Sequence, residues 1–322
     1  MLNKVHLRWI LAGLLVYLSG CASNIRTMVD ELDQEMTAVE LTETPFYSQV
    51  TDQCGPSALA ATLNVSGVNV EPETLKSQIY IPGREGSLQI ELLAATRAYQ
   101  RIPYRIDPDV TALLAELRGG RPVLVLQNLG RKFAPIWHYA VVVGYLPDRK
   151  QFILRSGDQQ RHLVKAPQFI RTWQKAEYWG VVTLPPGELP ASPDADKYVR
   201  SVAAIESVGD TISAAAGYEA ATSRWPRNSL AWLGLGNSYY AQGDLDSAER
   251  SYSQLLTIEP NHAVALNNLS QVQADQGCFE EAAATLDTAL VAAESHPATY
   301  VLIQKSRQEF DRQRSPAECD GS

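Results

Sequence analysis

The chain has 322 residues, 45% of them hydrophobic, and a formal charge of −8 at pH 7. That is enough apolar material for about two domains. The acidic balance, with no basic stripe, argues against a nucleic-acid partner. Four cysteines occur without a C-x-x-C pair or a His/Cys cluster at metal-ligand spacing, so no metal or other cofactor is expected.

Residues 1–8 are short and basic, with Lys4 and Arg8. Residues 9–18 are apolar but far shorter than the ~20 residues that span a bilayer, which reads as an export signal over residues 1–20. The run Leu18-Ser19-Gly20-Cys21-Ala22-Ser23 follows. It resembles the lipobox of bacterial lipoproteins. The resemblance implies that Cys21 is lipidated and becomes the first mature residue, and that the chain is anchored in the cell envelope. Ala22 after the cysteine resembles lipoproteins sorted to the outer membrane, facing the periplasm. The competing reading is a plain signal peptide with a chance cysteine. Each buried acyl methylene adds roughly 0.8 kcal/mol, so several chains anchor firmly. Removing residues 1–20 leaves the protein more acidic.

Residues 21–42 are polar and acidic and read as a lipidated tether with some helix. Residues 43–186 form a first domain. A helix is expected from Cys54 to about Asn64, a second at 72–79 opened by Pro72, and a third at 87–100 after the turn at 82–86. A short strand at 104–106 precedes a helix at 110–117, stopped by Gly119-Gly120. Strands follow at 121–127, 138–145, 151–155, 162–164 and 178–184, with a helix at 167–175. Helices first and an antiparallel sheet second is an α+β pattern.

Residues 187–196 belong to a proline-dense linker. Residues 197–305 are helical and alanine-rich, and residues 306–322 read as a polar tail. The helical part repeats at 34 residues: Trp232, Leu235, Gly236, Tyr239, Gly243, Ala248, Tyr252 and Pro260 in the middle unit. Neighbouring units keep Leu266, Leu269, Gly277, Ala282, Leu286 and Ala289 on one side. On the other they keep Tyr198, Gly209, Ala214, Tyr218, Ala221 and Pro226. This resembles tetratricopeptide repeats, over about residues 195–297. The resemblance implies an all-α helical-repeat domain that recruits a protein or peptide partner.

The chemistry is concentrated in the first domain. Cys54 stands in Gln53-Cys54-Gly55-Pro56-Ser57, at or just before a helix N-terminus. Unpaired N–H groups and the helix dipole at that position favour a thiolate. His138 opens a strand in Trp137-His138-Tyr139-Ala140-Val141 and is the candidate base. Asp158 in Ser156-Gly157-Asp158 is the candidate orienter of the ring. Asp148 is a rival, though it reads as a solvated turn residue. Gln49, with the backbone N–H of Cys54, is the candidate oxyanion partner, and Gln53 competes for that role.

Cysteine, histidine, carboxylate is the chain order of papain-like thiol enzymes. The segments Pro45-Phe46-Tyr47-Ser48-Gln49, Cys54-Gly55-Pro56-Ser57-Ala58-Leu59 and His138-Tyr139-Ala140-Val141-Val142-Val143-Gly144-Tyr145 resemble the bacteriocin-processing, or double-glycine leader, peptidases. The likeness covers about residues 43–184. It implies a papain-like fold with Gln49 at the oxyanion, Cys54 as nucleophile and His138 as base. The third member of that family is an Asp usually followed by Pro; here Gln159 follows Asp158. No Walker-A glycine loop occurs, so the family's Gly-Gly preference is not carried over. The whole chain resembles lipidated cysteine-peptidase-like proteins with C-terminal tetratricopeptide repeats.

The remaining candidates have plainer readings. His162 reads as a strand residue on a wet face, and His262 and His296 as helix caps or flanks. Trp137 shields the site or fills the core. Cys278 and Cys319 are either a disulfide or two free thiols. The expected function is an extracytoplasmic thiol peptidase cleaving peptide or isopeptide bonds. The alternatives are a catalytically silent, lipid-anchored scaffold and a thioester-forming transferase.

Overall fold

The computed structural model describes residues 37–48, 53–84 and 86–314. The described residues divide into two compact units, one within residues 1–185 and 190–192, the other within residues 186–189 and 193–322.

The first unit contains helices α1 (Cys54–Val65), α2 (Pro72–Ile79), α3 (Gln89–Ala98), α4 (Val110–Arg118) and α5 (Ala166–Gln174). Its strands are β1 (Val39–Glu40), β2 (Ile102–Arg105), β3 (Val123–Asn128), β4 (Trp137–Leu146), β5 (Gln151–Ser156), β6 (Gln159–Lys165) and β7 (Gly180–Leu184). The sheet runs β2-β7-β3-β4-β5-β6, and every neighbouring pair is antiparallel. The α+β expectation therefore holds, with most boundaries within two residues. The two-residue β1 was not anticipated. It continues the β3 edge of β4, with Val39 opposite Tyr145 and Glu40 opposite Gly144. It is too short to carry an alternating pattern of its own.

Successive strand residues point to opposite faces of a sheet. On one face Leu124, Leu126, Tyr139, Val141 and Val181 pack with Leu59 and Leu63 of α1, Leu75 of α2 and Leu92 of α3. On the other, Phe152 of β5 meets Phe169 of α5 at 4.6 Å between ring centroids and Tyr145 at 4.8 Å. Helix α1 is buried continuously from Gly55 to Leu63, which explains its alanines: small side chains let neighbours approach from every side. Pro56 lies in its first turn, where a missing N–H costs nothing. Thr183 Oγ1 donates to Thr62 O at 2.9 Å and fastens the helix to β7.

Two arginines hold the strap that leads into this unit. Arg155, almost fully buried, donates to the carbonyls of Thr42, Thr44 and Gln160. Arg161 makes a two-pronged pair with Glu40, and that hydrogen bond lowers the Glu40 pKa.

The second unit is helical: α6 (Ala195–Glu206), α7 (Thr211–Arg224), α8 (Ser229–Gln242), α9 (Leu245–Ile258), α10 (Ala263–Asp275), α11 (Phe279–Ala293) and α12 (Pro297–Arg314). The 34-residue period is visible in its caps. Asp194, Asn228 and His262 accept at the starts of α6, α8 and α10, and Asp210 and Asp244 at the starts of α7 and α9. Each satisfies an N–H that the helix itself cannot. Helix α12 runs past residue 306, where a polar tail was expected. Ile303 and Phe310, seven residues apart on one face, are both buried and carry the helix on.

Candidate functional site

Cys54 is the first residue of α1 and is half-buried. It lines a cavity of about 560 Å³ with Arg84, Ser87, Leu88, Trp137, Tyr139 and Lys175 among its other walls. The start of α1 leaves backbone N–H groups without intrahelical partners beside the sulfur. Tyr139 is the cavity's buried phenol. Its hydroxyl donates to Ser87 O at 3.3 Å, and its ring meets Trp179 edge-on at 5.8 Å. Burial, and secondarily the nearby Cys54, pushes the Tyr139 pKa far up, so the phenol stays protonated and remains a donor.

His138 faces the other way. It pairs with Gln127 across β3 and β4. Alternation sends its side chain to the face opposite Tyr139 and Trp137. Its Nε2 lies 2.8 Å from Ser156 Oγ. A second cavity, about 70 Å³, is lined by His138, Gln127, Ser156, His162, Gln168 and Thr172. Gln127 is itself held there by a 2.7 Å hydrogen bond to Thr172 Oγ1. Burial, and then the neighbouring His162, lowers the His138 pKa below its ordinary 6.5 and so favours the neutral ring.

The expected Cys54–His138 pair is thus not brought together. The two residues line different cavities, and among the described residues no hydrogen bond or ion pair joins them. The backbone of His138 is nonetheless beside the Cys54 cavity, because Trp137 and Tyr139, its neighbours on either side, both line it.

The third expected member also changes. Asp158 is exposed, in the two-residue turn Gly157-Asp158 between β5 and β6. Gly157 takes φ +60°, the left-handed start that a tight hairpin of this kind requires. The turn aims Asp158 outward, and Ser156 occupies the position beside the imidazole. The rival Asp148 is an exposed residue of the turn Pro147–Arg149. Gln53 donates to Glu73 Oε1 at 2.5 Å and so has another partner than an oxyanion. Gln49, Cys21 and Cys319 lie outside the described residues.

Sequence reasoning missed Ser156 and Tyr139. The signal was present in both cases: Ser156 is two residues from the inward Leu154 in β5, and Tyr139 is one residue from His138 in β4. His162 is half-buried against the His138 cavity rather than on a wet face. His262 caps α10, accepting from Ala265 N at 3.1 Å. Cys278 is exposed before α11, its pKa raised chiefly by a hydrogen bond with Glu281. Among the described residues no group of three or more His, Cys, Asp or Glu side chains is placed to hold a metal. Among them, too, no helix is long and apolar enough to cross a membrane.

Comparison with known proteins follows the same division. Residues 41–181 match the Peptidase_C39 like family. Tetratricopeptide repeats match at residues 208–263 and 233–297. No curated protein matches the chain. Among solved structures, a candidate C39-like peptidase from Bacillus anthracis is 16% identical, covering 46% of this chain and 98% of its own, with a TM-score of 0.40. The type III secretion translocator chaperone SycD of Yersinia enterocolitica is 18% identical over 38% of this chain and 86% of its own, with a TM-score of 0.36. The TPR2B domain of yeast Sti1, solved in a complex with pHsp70, is 15% identical over 37% of this chain and 97% of its own, with a TM-score of 0.35. The chain joins a Peptidase_C39-like domain, residues 41–181, to tetratricopeptide repeats at residues 208–297.

Proposed function

We propose that this protein is a membrane-anchored cysteine peptidase of the cell envelope whose repeat unit recruits a protein or peptide partner. The observation that carries the reading is the placement of Cys54 at the first residue of a buried helix, opening on a cavity of about 560 Å³ within a C39-like domain. The Cys54 sulfur attacks the carbonyl carbon of the scissile bond, the amine leaves with a proton, and water resolves the resulting thioester. The N–H groups at the start of α1 serve as donors to the developing oxyanion, with Tyr139 in the same cavity wall and Gln49 the side-chain candidate from the sequence. His138 takes the thiol proton only after its ring turns from Ser156 toward the Cys54 cavity, so cutting requires a rearrangement at the start of β4. Anchoring rests on the lipobox-like run at Cys21, and recruitment on the repeats.

The test is mass spectrometry of the full chain after reaction with an epoxide inhibitor of cysteine proteases. The expected result is one adduct on Cys54 and none on Cys278 or Cys319, lost in His138→Ala. An unmodified Cys54, or equal labelling of all three, overturns the peptidase reading.

The separation of Cys54 from His138 favours a second reading, a scaffold that binds peptides without cutting them. Under it, Cys54→Ala retains every partner captured by the wild type, and no peptide in an envelope extract is shortened in a Cys54-dependent way.

A further inference from the structure

The loop between β3 and β4 is unusual for an acidic protein. Residues 129–137 read Leu-Gly-Arg-Lys-Phe-Ala-Pro-Ile-Trp, with two cations and no carboxylate. Its large apolar side chains are all at least half exposed, Leu129 51%, Phe133 81%, Ile136 61% and Trp137 53%, with Leu129 also in the wall of the His138 cavity. The exposure is built in. Asn128 Oδ1 accepts from both Gly130 N and Ile136 N, at 3.0 and 3.1 Å. Leu129 N donates to Ile136 O, and Arg131 and Ala134 exchange two backbone hydrogen bonds across the tip. Lys175 Nζ donates to Gly130 O at 2.7 Å and adds a third cation at the base, where Glu177 also lines the Cys54 cavity, so the carboxylate-free stretch is the loop itself. The Arg131 guanidinium lies 5.9 Å from the centre of the Phe133 ring, leaving its charged end at the tip.

A pre-formed apolar tip that carries two cations matches one surface chemistry closely. Apolar and aromatic side chains enter the boundary between headgroups and acyl chains, while Arg and Lys stay at the level of anionic phosphates. The overall charge of −8 repels such a surface, so local attraction has to come from a place where carboxylates are missing. We propose that the 129–137 hairpin dips into the surface of an anionic lipid bilayer, as a contact separate from any lipid on Cys21. Trp137 belongs both to this tip and to the Cys54 cavity wall, so the contact sets the cavity mouth beside the membrane surface. The inference stands whether or not Cys54 cuts.

The test places a photoreactive benzoylphenylalanine at Phe133 in the full chain, with Ile136 as a second probe position. Val65, 38% exposed at the far end of α1 from Cys54, serves as the control. Each protein is irradiated with vesicles of phosphatidylcholine, with or without phosphatidylglycerol, and adducts are read by mass spectrometry. Lipid adducts are expected at 133 and 136, strongest with phosphatidylglycerol, and not at 65. Arg131→Gln with Lys132→Gln is expected to lower the yield about 30-fold, since each cation near an anionic surface contributes about fivefold. No lipid adduct at either position overturns the inference. Equal adducts at Val65 overturn it too, because any anchored surface would then suffice.

Discussion

Ser156 Oγ and His138 Nε2 lie 2.8 Å apart on the face of β4 opposite Tyr139. A hydroxyl thus stands where a charged orienting carboxylate was expected. A neutral partner neither raises the imidazole pKa nor stabilises an imidazolium as a carboxylate would. Ser156→Asp should therefore raise the His138 pKa, because an adjacent opposite charge favours the protonated ring. Ser156→Ala should leave it low, since burial remains. Ring-proton chemical shifts followed through a pH titration check both; a His138 midpoint unmoved by Ser156→Asp removes the contact.

The depressed His138 pKa carries a stability signature. Protonation is easier in the unfolded chain, near pH 6.5, than in the folded one. Folding therefore loses stability as pH falls from about 6.5 toward the folded pKa, and is unaffected by this group well above pH 6.5. Urea midpoints at pH 7.5 and pH 5 are expected to differ more in the wild type than in His138→Gln. Parallel pH dependences in the two proteins would contradict the buried placement.

Glu116 is 1% exposed and serves two partners: Arg121 Nε at 2.7 Å and Ala191 N at 2.8 Å. Removing it strands a guanidinium and a backbone donor together. Arg121 is partly exposed, so water relieves some of the loss, and Glu116→Ala should cost about 2–3 kcal/mol. Glu116→Gln, which can keep one of the two bonds, should cost about half as much. Hydrogen exchange at α4 and residues 190–192 is the local readout, and unchanged protection in Glu116→Ala would count against the role.

The repeat unit is keyed by two glycines on α8. A Cβ at Gly234 would fall 2.2 Å from the Tyr218 ring, and one at Gly236 would fall 2.5 Å from the Tyr252 ring. Both rings are buried, and Tyr252 is also tied by its hydroxyl to Asn237 Oδ1 at 2.9 Å. Gly236→Ala should cost about 1–3 kcal/mol by overpacking, despite alanine's better helix propensity. Tyr252→Leu, combined with it, should recover part of that by vacating the space. A melting temperature raised by Gly236→Ala alone would show that the contact yields freely.

Much of the architecture was legible before folding was considered, because it rests on local periodicity. The 34-residue spacing of Gly236, Ala248 and Tyr252, the alanine run after Cys54, the Gly119-Gly120 stop and the apolar strands each report a neighbourhood of a few residues. They located the α+β domain and the helical repeats, and they singled out Cys54. The strap at β1 escaped because it is held by Arg155 and Arg161, more than a hundred positions away.

What only the tertiary structure decided is which side chains meet. A cysteine and a histidine in the right order imply a pair, but strand alternation turns His138 to Ser156 and Tyr139 to the Cys54 cavity, and a one-residue change of phase would exchange them. A two-residue turn likewise sends Asp158 into solvent, because Gly157 sets its direction. Order along the chain is a local property. Facing is set by sheet register and hairpin geometry, which arise only when distant strands pair.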